Sequence, residues 1–250
     1  MHDYARYVDR RWFKRYRPTD DARISLLCFH HAGGTAAMFR GWADRVPASV
    51  DLLGVQLPGR ADRFGEPAHA HITPLVDDLI DAMEPLFDRP FALFGISMGA
   101  RVAWSLAHEL RERGLPEPRG LYPACDAGPI TDDGRWPWEN RADGLEGYMR
   151  EMGGTPAAVL DQPGLLRALI PTLRCDLMVL STHPPRPGAP LHVPIRAFAG
   201  VDDPVATPER VARWDVETTA SFQLDLVPGG HFLSGEAEGR VVRTLAADLT

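Results

Sequence analysis

The chain has 250 residues, enough for one large α/β domain with a substantial core. Its hydrophobic content of 44% and charged content of 24% are ordinary for a globular protein. No apolar run approaches the roughly 20 residues that span a bilayer, so we expect no membrane association. The net charge of −7 argues against nucleic acid as a partner. No secretory signal is visible and the three cysteines lack metal-binding spacing, so we expect a cytoplasmic protein with reduced thiols and no bound metal.

Short apolar runs alternate with amphipathic stretches along the chain. This pattern predicts an α/β fold, with a mostly parallel central sheet and helices on both faces, in a single domain over residues 1–250. The apolar runs predict strands at Ser25–Phe29, Leu52–Leu57, Phe91–Phe94, Gly120–Ala124, Ile195–Ala199 and Phe222–Val227. The amphipathic stretches predict helices at Ala36–Val46, Pro74–Phe87, Met98–Arg113, Pro208–Thr218 and Glu236–Leu249.

The alternation stops between Pro129 and about Pro194. This stretch contains no convincing strand, but it has helical patches around Leu145–Met152 and Leu165–Leu180. An insertion of this size between two sheet strands usually covers the strand ends and controls access to a site there. We therefore predict a helical lid at about 129–194; an insertion that serves packing only is the alternative.

The segment Gly95-Ile96-Ser97-Met98-Gly99 lies between a predicted strand and a predicted helix. A G-x-S-x-G in this context is a nucleophile elbow. Its glycines allow a sharp turn and close packing, and its serine hydroxyl is presented at the carboxyl end of the strand. Ser97 is therefore the candidate nucleophile of an enzyme.

A serine hydroxyl needs an adjacent base, and the base needs an orienting acid; in this kind of fold the chain order is serine, acid, histidine. His231 is the candidate base, because it lies on a glycine turn directly after the last predicted strand. Asp203 is the favoured acid, because it follows the preceding strand and is held by the proline after it. Two alternatives stay open: the neighbouring Asp202, and Asp126 at the end of an earlier strand.

The oxyanion of a tetrahedral intermediate needs backbone N–H donors. One is expected from Met98, directly after the nucleophile at the positive end of the following helix. The other is expected from Ala32, in the glycine-containing loop His31–Gly34 after the first predicted strand.

With these residues in place, the chain resembles the type II thioesterases, free-standing α/β-hydrolases that accompany modular polyketide and non-ribosomal peptide synthases. The Leu-Pro-Gly-Arg segment and the Ala-Gly-Gly loop are more restricted than the G-x-S-x-G motif. The resemblance extends over nearly the whole chain, and the segments that carry it are Trp12-Phe13, Cys28–Gly34, Gln56–Arg60, Phe94–Ala100, Leu173–Leu177, Asp203-Pro204 and Gly229–Phe232.

The resemblance implies a serine hydrolase that removes acyl groups from the phosphopantetheine arm of acyl or peptidyl carrier domains, and so edits and regenerates stalled synthases in antibiotic biosynthesis. Its substrates would be small acyl thioesters such as acetyl or propionyl units. The phosphopantetheine belongs to the substrate, so no cofactor is expected, and we expect a monomer. The basic residues between Arg6 and Arg17, together with Arg60 and Arg63, are candidates to dock an acidic carrier helix.

Two positions depart from the family pattern. Ile96 stands where histidine is common and is expected to pack below the elbow. The segment Tyr122–Asp126 stands where a small Ser-Gly type sequence is usual, which leaves the acyl pocket and the identity of the acid open. Other functions also stay open: an acyltransferase or product-releasing cyclase with the same triad, a carboxylesterase acting on free esters, and a non-catalytic protein that binds carrier domains.

Overall fold

The computed structural model describes residues 8–19, 21–129, 143–181 and 188–250. Its strands are β1 (Phe13–Arg15), β2 (Ile24–Phe29), β3 (Val50–Val55), β4 (Phe91–Ile96), β5 (Leu121–Ala124), β6 (Ile195–Gly200) and β7 (Phe222–Val227). They form one seven-stranded sheet in the order β1-β3-β2-β4-β5-β6-β7. The first pair is antiparallel and the other pairs are parallel, which confirms the predicted fold class.

The six strands predicted from apolar runs are confirmed, with ends that differ by two residues or fewer. The interior strand β4 is buried along its whole length, which is why its sequence is a continuous apolar run rather than an alternation. Its carboxyl end delivers the chain directly to Ser97.

Sequence reasoning missed β1, which it treated as part of a basic arm. This three-residue strand pairs with β3 at the edge of the sheet, and its Phe13 side chain is buried. Its cations bind groups of the protein itself: Lys14 Nζ donates to the carbonyl of Arg10, and Arg15 forms an ion pair of 2.5 Å with Asp51. Lys14 and Arg15 thus have partners within the protein, and docking of an acidic carrier helix by this arm stays a prediction. Arg6 lies outside the described residues.

Helices cover both faces of the sheet, as predicted. One buried cluster joins the helices Ile72–Met83 and Met98–Glu112 to one face, and a second joins the helix Gly235–Asp248 and the 3-10 helix Ala36–Trp42 to the other. This 3-10 helix replaces a longer predicted helix, and Gly41 within it has low helix propensity. The α-helices are α1 (Ile72–Met83), α2 (Met98–Glu112), α3 (Gly144–Met152), α4 (Ala157–Leu160), α5 (Pro163–Ser181), α6 (Pro208–Val211) and α7 (Gly235–Asp248).

The predicted insertion contains α3, α4 and α5, which lie between β5 and β6 in the chain. The two helical patches expected there are confirmed by α3 and α5. Both helices bury leucines in the same cluster as α2, including Leu145 on α3 and Leu173 on α5. Residues 130–142 and 182–187 of the insertion lie outside the described part of the chain. Within that part, no helix is both long and apolar enough to cross a membrane.

Glu217 is a buried carboxyl that ends the 3-10 helix Ala212–Glu217, and it accepts a hydrogen bond of 3.0 Å from Trp104 Nε1. Burial raises the pKa of Glu217, and the hydrogen bond from Trp104 and the charge of Arg101 offset only part of this effect. Because its pKa is higher in the folded than in the unfolded chain, Glu217 increasingly destabilises the fold as the pH rises above the ordinary value for glutamate.

We expect Glu217→Gln to raise the free energy of unfolding at pH 7 by about 1 kcal/mol, the usual scale of a point substitution, because glutamine keeps an acceptor for Trp104 without a buried charge. Denaturant unfolding at neutral pH and at about pH 4, near the ordinary glutamate pKa, measures this effect. The gain should shrink at the lower pH. A variant less stable than the wild type at pH 7 would contradict this prediction.

Candidate active site

Ser97 occupies a sharp turn between β4 and α2. Its backbone has φ 52° and ψ −116°, a strained conformation for a residue with a side chain. The turn depends on the two glycines of the motif. A Cβ at Gly95 would collide with the carbonyl of Gly99, and a Cβ at Gly99 would collide with the carbonyl of Phe29. The predicted elbow geometry is therefore present, with the hydroxyl at the carboxyl end of the sheet.

Ser97, His231 and Asp203 form a continuous hydrogen-bonded row. The distance from His231 Nε2 to Ser97 Oγ is 3.1 Å, and that from His231 Nδ1 to Asp203 Oδ2 is 2.9 Å. The histidine lies in the turn after β7 and the aspartate in the turn after β6, so three strand ends bring these side chains together. A base within hydrogen-bond reach of a serine hydroxyl, and oriented by a carboxylate, is the arrangement that activates the hydroxyl as a nucleophile.

The second carboxylate oxygen of Asp203 is also held. Asp203 Oδ1 accepts hydrogen bonds from the backbone N–H groups of Val205 at 2.8 Å and Ala206 at 2.9 Å. Burial favours the neutral acid, but the hydrogen bond and charge of His231 and these two amides outweigh it, so the pKa of Asp203 is lowered. Both oxygens of Asp203 are thus fixed, and their partners favour the anionic form.

The two alternative acids occupy different environments. Asp202 is exposed, and its backbone N–H donates to the carbonyl of Gly229. Asp126 Oδ1 accepts hydrogen bonds from Arg101 Nε at 2.7 Å and from the Gly128 N–H at 2.9 Å. The structure therefore brings His231 to Asp203, and binds Asp126 to a buried arginine.

The two candidate oxyanion donors are Met98, the next residue after Ser97, and Ala32, on the wall of the Ser97 cavity. Met98 begins α2, so its N–H belongs to the first helical turn, whose amides have no acceptor within the helix. Ala32 lines the same cavity as Ser97 and His231. The residue after it, Gly33, has φ 74°, a conformation that favours glycine.

Two adjoining cavities meet at this site. The first, of about 170 Å³, is lined by Ser97 and His231, and also by Arg101 and Asp126. The second, of about 210 Å³, extends towards the exposed side chain of Phe64. The residues that line both cavities are His31, Ala32, Tyr148, Met152, Leu173 and Phe232. Three of these come from α3 and α5, so the insertion forms part of the wall of both cavities.

Sequence reasoning missed the role of Phe232 next to the base. Its ring packs edge-on against His31 and His231, with centroid distances of 4.9 Å and 5.3 Å. Its position directly after the candidate base was the signal available in the sequence. Ile96, in contrast, is buried in the core with Phe94, as expected for packing below the elbow.

Arg60 and Arg63, expected as docking cations, are both buried and bound within the protein. Arg60 forms two hydrogen bonds of 2.7 Å with Asp176, and Arg63 lies over the ring of Trp12 and pairs with Glu66. The docking expectation is therefore wrong for these two residues. A planar guanidinium matches a carboxylate in two-point contact, which allows the charge of Arg60 to be buried.

Comparisons with known proteins agree with this geometry. The thioesterase domain model matches residues 24–249. A probable cadicidin biosynthesis thioesterase from Streptomyces griseus is 34% identical over 222 residues, which are 89% of this chain and 61% of that relative. The structure of RedJ, a thioesterase from the prodiginine biosynthetic pathway of Streptomyces coelicolor, has a TM-score of 0.87 at 36% identity, with 93% of each chain covered. BorB, a type II thioesterase from the borrelidin biosynthetic cluster, has a TM-score of 0.86 at 32% identity, covering 96% of this chain and 98% of its own. The chain therefore belongs to the thioesterase family, with the α/β-hydrolase fold, and the resemblance to type II thioesterases predicted from its motifs is confirmed.

Proposed function

We propose that this protein hydrolyses acyl groups held as thioesters on the phosphopantetheine arm of carrier proteins, and so regenerates stalled polyketide or non-ribosomal peptide synthases. The observation that carries the proposal is the hydrogen-bonded row of Ser97, His231 and Asp203 in a cavity partly walled by the insertion. The family, and the pathways in which RedJ and BorB are found, support thioesters of such synthases as the substrate class.

In the proposed reaction, Ser97 Oγ attacks the thioester carbonyl while His231 Nε2 takes its proton. Asp203 accepts the hydrogen bond from His231 Nδ1–H and stabilises the imidazolium that forms. The N–H groups of Ala32 and Met98 bind the oxyanion. Collapse of the intermediate expels the thiolate, which receives the proton from His231.

The acyl-enzyme is then hydrolysed by the same groups. A water molecule gives a proton to His231 Nε2 and attacks the acyl carbonyl, and collapse releases the acid and restores Ser97. The cavity of about 170 Å³ around Ser97 suits a short acyl unit such as acetyl or propionyl. The adjoining cavity beside Phe64 gives the long, narrow arm a path to the nucleophile. In this proposal α3, α4 and α5 act as the lid that limits access of bulk water.

Mass spectrometry of the intact carrier protein tests the substrate class. An acetyl- or propionyl-loaded carrier protein is incubated with the enzyme, beside the matching free N-acetylcysteamine thioester. We expect rapid loss of the acyl mass from the carrier, and slower cleavage of the free thioester because it lacks the carrier contacts. No loss of the acyl mass, or transfer of the acyl group to an added amine instead of water, would contradict the proposal.

A further inference from the structure

A buried ion pair connects α5 with the turn that follows β3. Arg60 Nη1 donates to Asp176 Oδ2 and Arg60 Nη2 donates to Asp176 Oδ1, each at 2.7 Å. The two side chains are 5% and 2% exposed. A two-point pair of this kind fixes the orientation of the carboxylate as well as its position. Asp176 is therefore a rigid group that the reaction sequence above does not use.

The same carboxylate reaches the candidate oxyanion loop. Asp176 Oδ2 accepts a hydrogen bond of 2.7 Å from the Gly33 N–H, and Arg60 Nη1 lies 3.4 Å from the carbonyl oxygen of Gly34. On the other side, His31 Nδ1 donates to the carbonyl of Ala32 at 2.9 Å. The Ala32 carbonyl and the Gly33 N–H belong to one planar peptide unit. That unit is thus held at both ends.

The loop has an internal hydrogen bond of 3.0 Å from the Gly34 N–H to the carbonyl of His31, which also accepts a bond of 2.8 Å from His30 Nδ1. Two consecutive glycines follow Ala32, and glycine leaves the backbone free to adopt many conformations. An oxyanion donor contributes to the rate only when it already points at the position where the charge develops. The Ala32 N–H belongs to the preceding peptide unit, whose His31 carbonyl is held by His30 and Gly34, and the two units meet at the Ala32 Cα. Asp176 therefore constrains the direction of the Ala32 N–H from the Gly33 side.

We propose that Asp176 is a positioning residue, which holds the Ala32–Gly33 peptide so that the Ala32 N–H faces the oxyanion formed at Ser97. This inference rests on the proposed function, because the role of Ala32 is part of that proposal. Asp176 does not touch the reacting atoms and acts through the loop.

Two further contacts join α5 to the loops around the active site. Thr172 Oγ1 on α5 donates to the carbonyl of Gly59 at 2.8 Å, and the side chain of Leu173 lies against Gly33. The section of α5 from Thr172 to Asp176 therefore belongs to the frame of the active site.

The test compares Asp176→Ala with Asp176→Asn in the full-length enzyme acting on propionyl-N-acetylcysteamine. Removal of one oxyanion donor costs about 10²–10³-fold in kcat, so a misdirected donor in Asp176→Ala should lower kcat by about 10²-fold with KM little changed. Asparagine keeps an acceptor for the Gly33 N–H, so Asp176→Asn should recover part of the loss.

The matched control is Asp51→Ala, which removes a buried carboxylate paired with Arg15 at the far edge of the sheet. The control should lose stability and keep kcat.

A second readout is the rate at which a fluorophosphonate modifies Ser97, followed by intact mass. The phosphoryl oxygen of this reagent needs the same oxyanion donors as the thioester. The rate of modification should fall in parallel with kcat in Asp176→Ala. If Asp176→Ala does not fold, the same parallel, with a smaller decrease, is expected in Asp176→Asn. Wild-type kcat and modification rates in a folded Asp176 variant would overturn the inference. A wild-type enzyme that is modified at Ser97 but cleaves no thioester would refute the proposed function instead, and the modification rates of the Asp176 variants would still decide the role of Asp176.

Discussion

Replacing Ser97 by alanine is expected to lower kcat for thioester hydrolysis by at least about 10³-fold, because it removes the hydroxyl that forms the acyl-enzyme. The hydroxyl is 3.1 Å from His231 Nε2, and alanine removes only this oxygen. The Cβ atom and its place in the elbow remain, so the fold and its thermal stability should be retained. Colorimetric detection of the thiol released from propionyl-N-acetylcysteamine measures the loss.

Intact mass spectrometry gives this prediction a second and independent readout. Rapid quenching of the wild type during turnover should show a fraction of the enzyme carrying the propionyl mass, and Ser97→Ala should carry none. A variant that keeps more than about a tenth of the wild-type kcat, well above what remains after loss of a serine nucleophile, would show that Ser97 is not the nucleophile.

Replacing Asp203 by asparagine is expected to lower kcat by about 10⁴-fold while the fold is kept. The backbone N–H groups of Val205 and Ala206 bind Asp203 Oδ1, and they would hold the amide oxygen of asparagine in the same place. The amide NH₂ would then face His231 Nδ1 and donate to it. In that tautomer His231 Nε2 carries the proton and cannot accept one from Ser97.

Two other substitutions are matched controls for this prediction. Asp202→Asn changes the neighbouring, exposed carboxylate, and Asp126→Asn changes the one bound to Arg101. Asp202 lies outside the cavity, so Asp202→Asn should keep kcat within a few-fold of the wild type. Asp126 lines the cavity but is bound to Arg101 and not to the base, so Asp126→Asn should lose far less kcat than Asp203→Asn. A loss in Asp126→Asn as large as that in Asp203→Asn, without loss of folded protein, would move the orienting role to Asp126.

The fold was largely predictable because burial leaves a direct mark on the sequence. Strands inside a parallel sheet are covered on both faces, so β4 is a continuous apolar run and β2 is apolar except for Ser25. Helices that cover the sheet carry one apolar face, as in α1 and α2. The edge strand β1 has neither mark: it is three residues long, and two of them are charged. Its identity depends on pairing with β3, which no local pattern reports.

The sequence by itself determined the local chemistry of this protein. The elbow at Ser97 and the glycine turn before His231 are conformations set by adjacent residues, so a short motif is enough to predict them. The order of strands then implied that these residues meet at one edge of the sheet. Their sequence separation of 134 residues did not hide this, because the carboxyl ends of parallel strands lie together.

Only the tertiary structure decided which charged groups pair. Asp203 and Asp126 both follow strands, and only packing shows that one meets His231 and the other meets Arg101. Likewise, Arg60 and Asp176 are 116 residues apart, and only packing reveals that they pair and hold the loop beside Ser97. A buried ion pair leaves no periodic pattern in either segment, because its stability comes from two-point geometry between side chains that meet only after the helices and strands have packed.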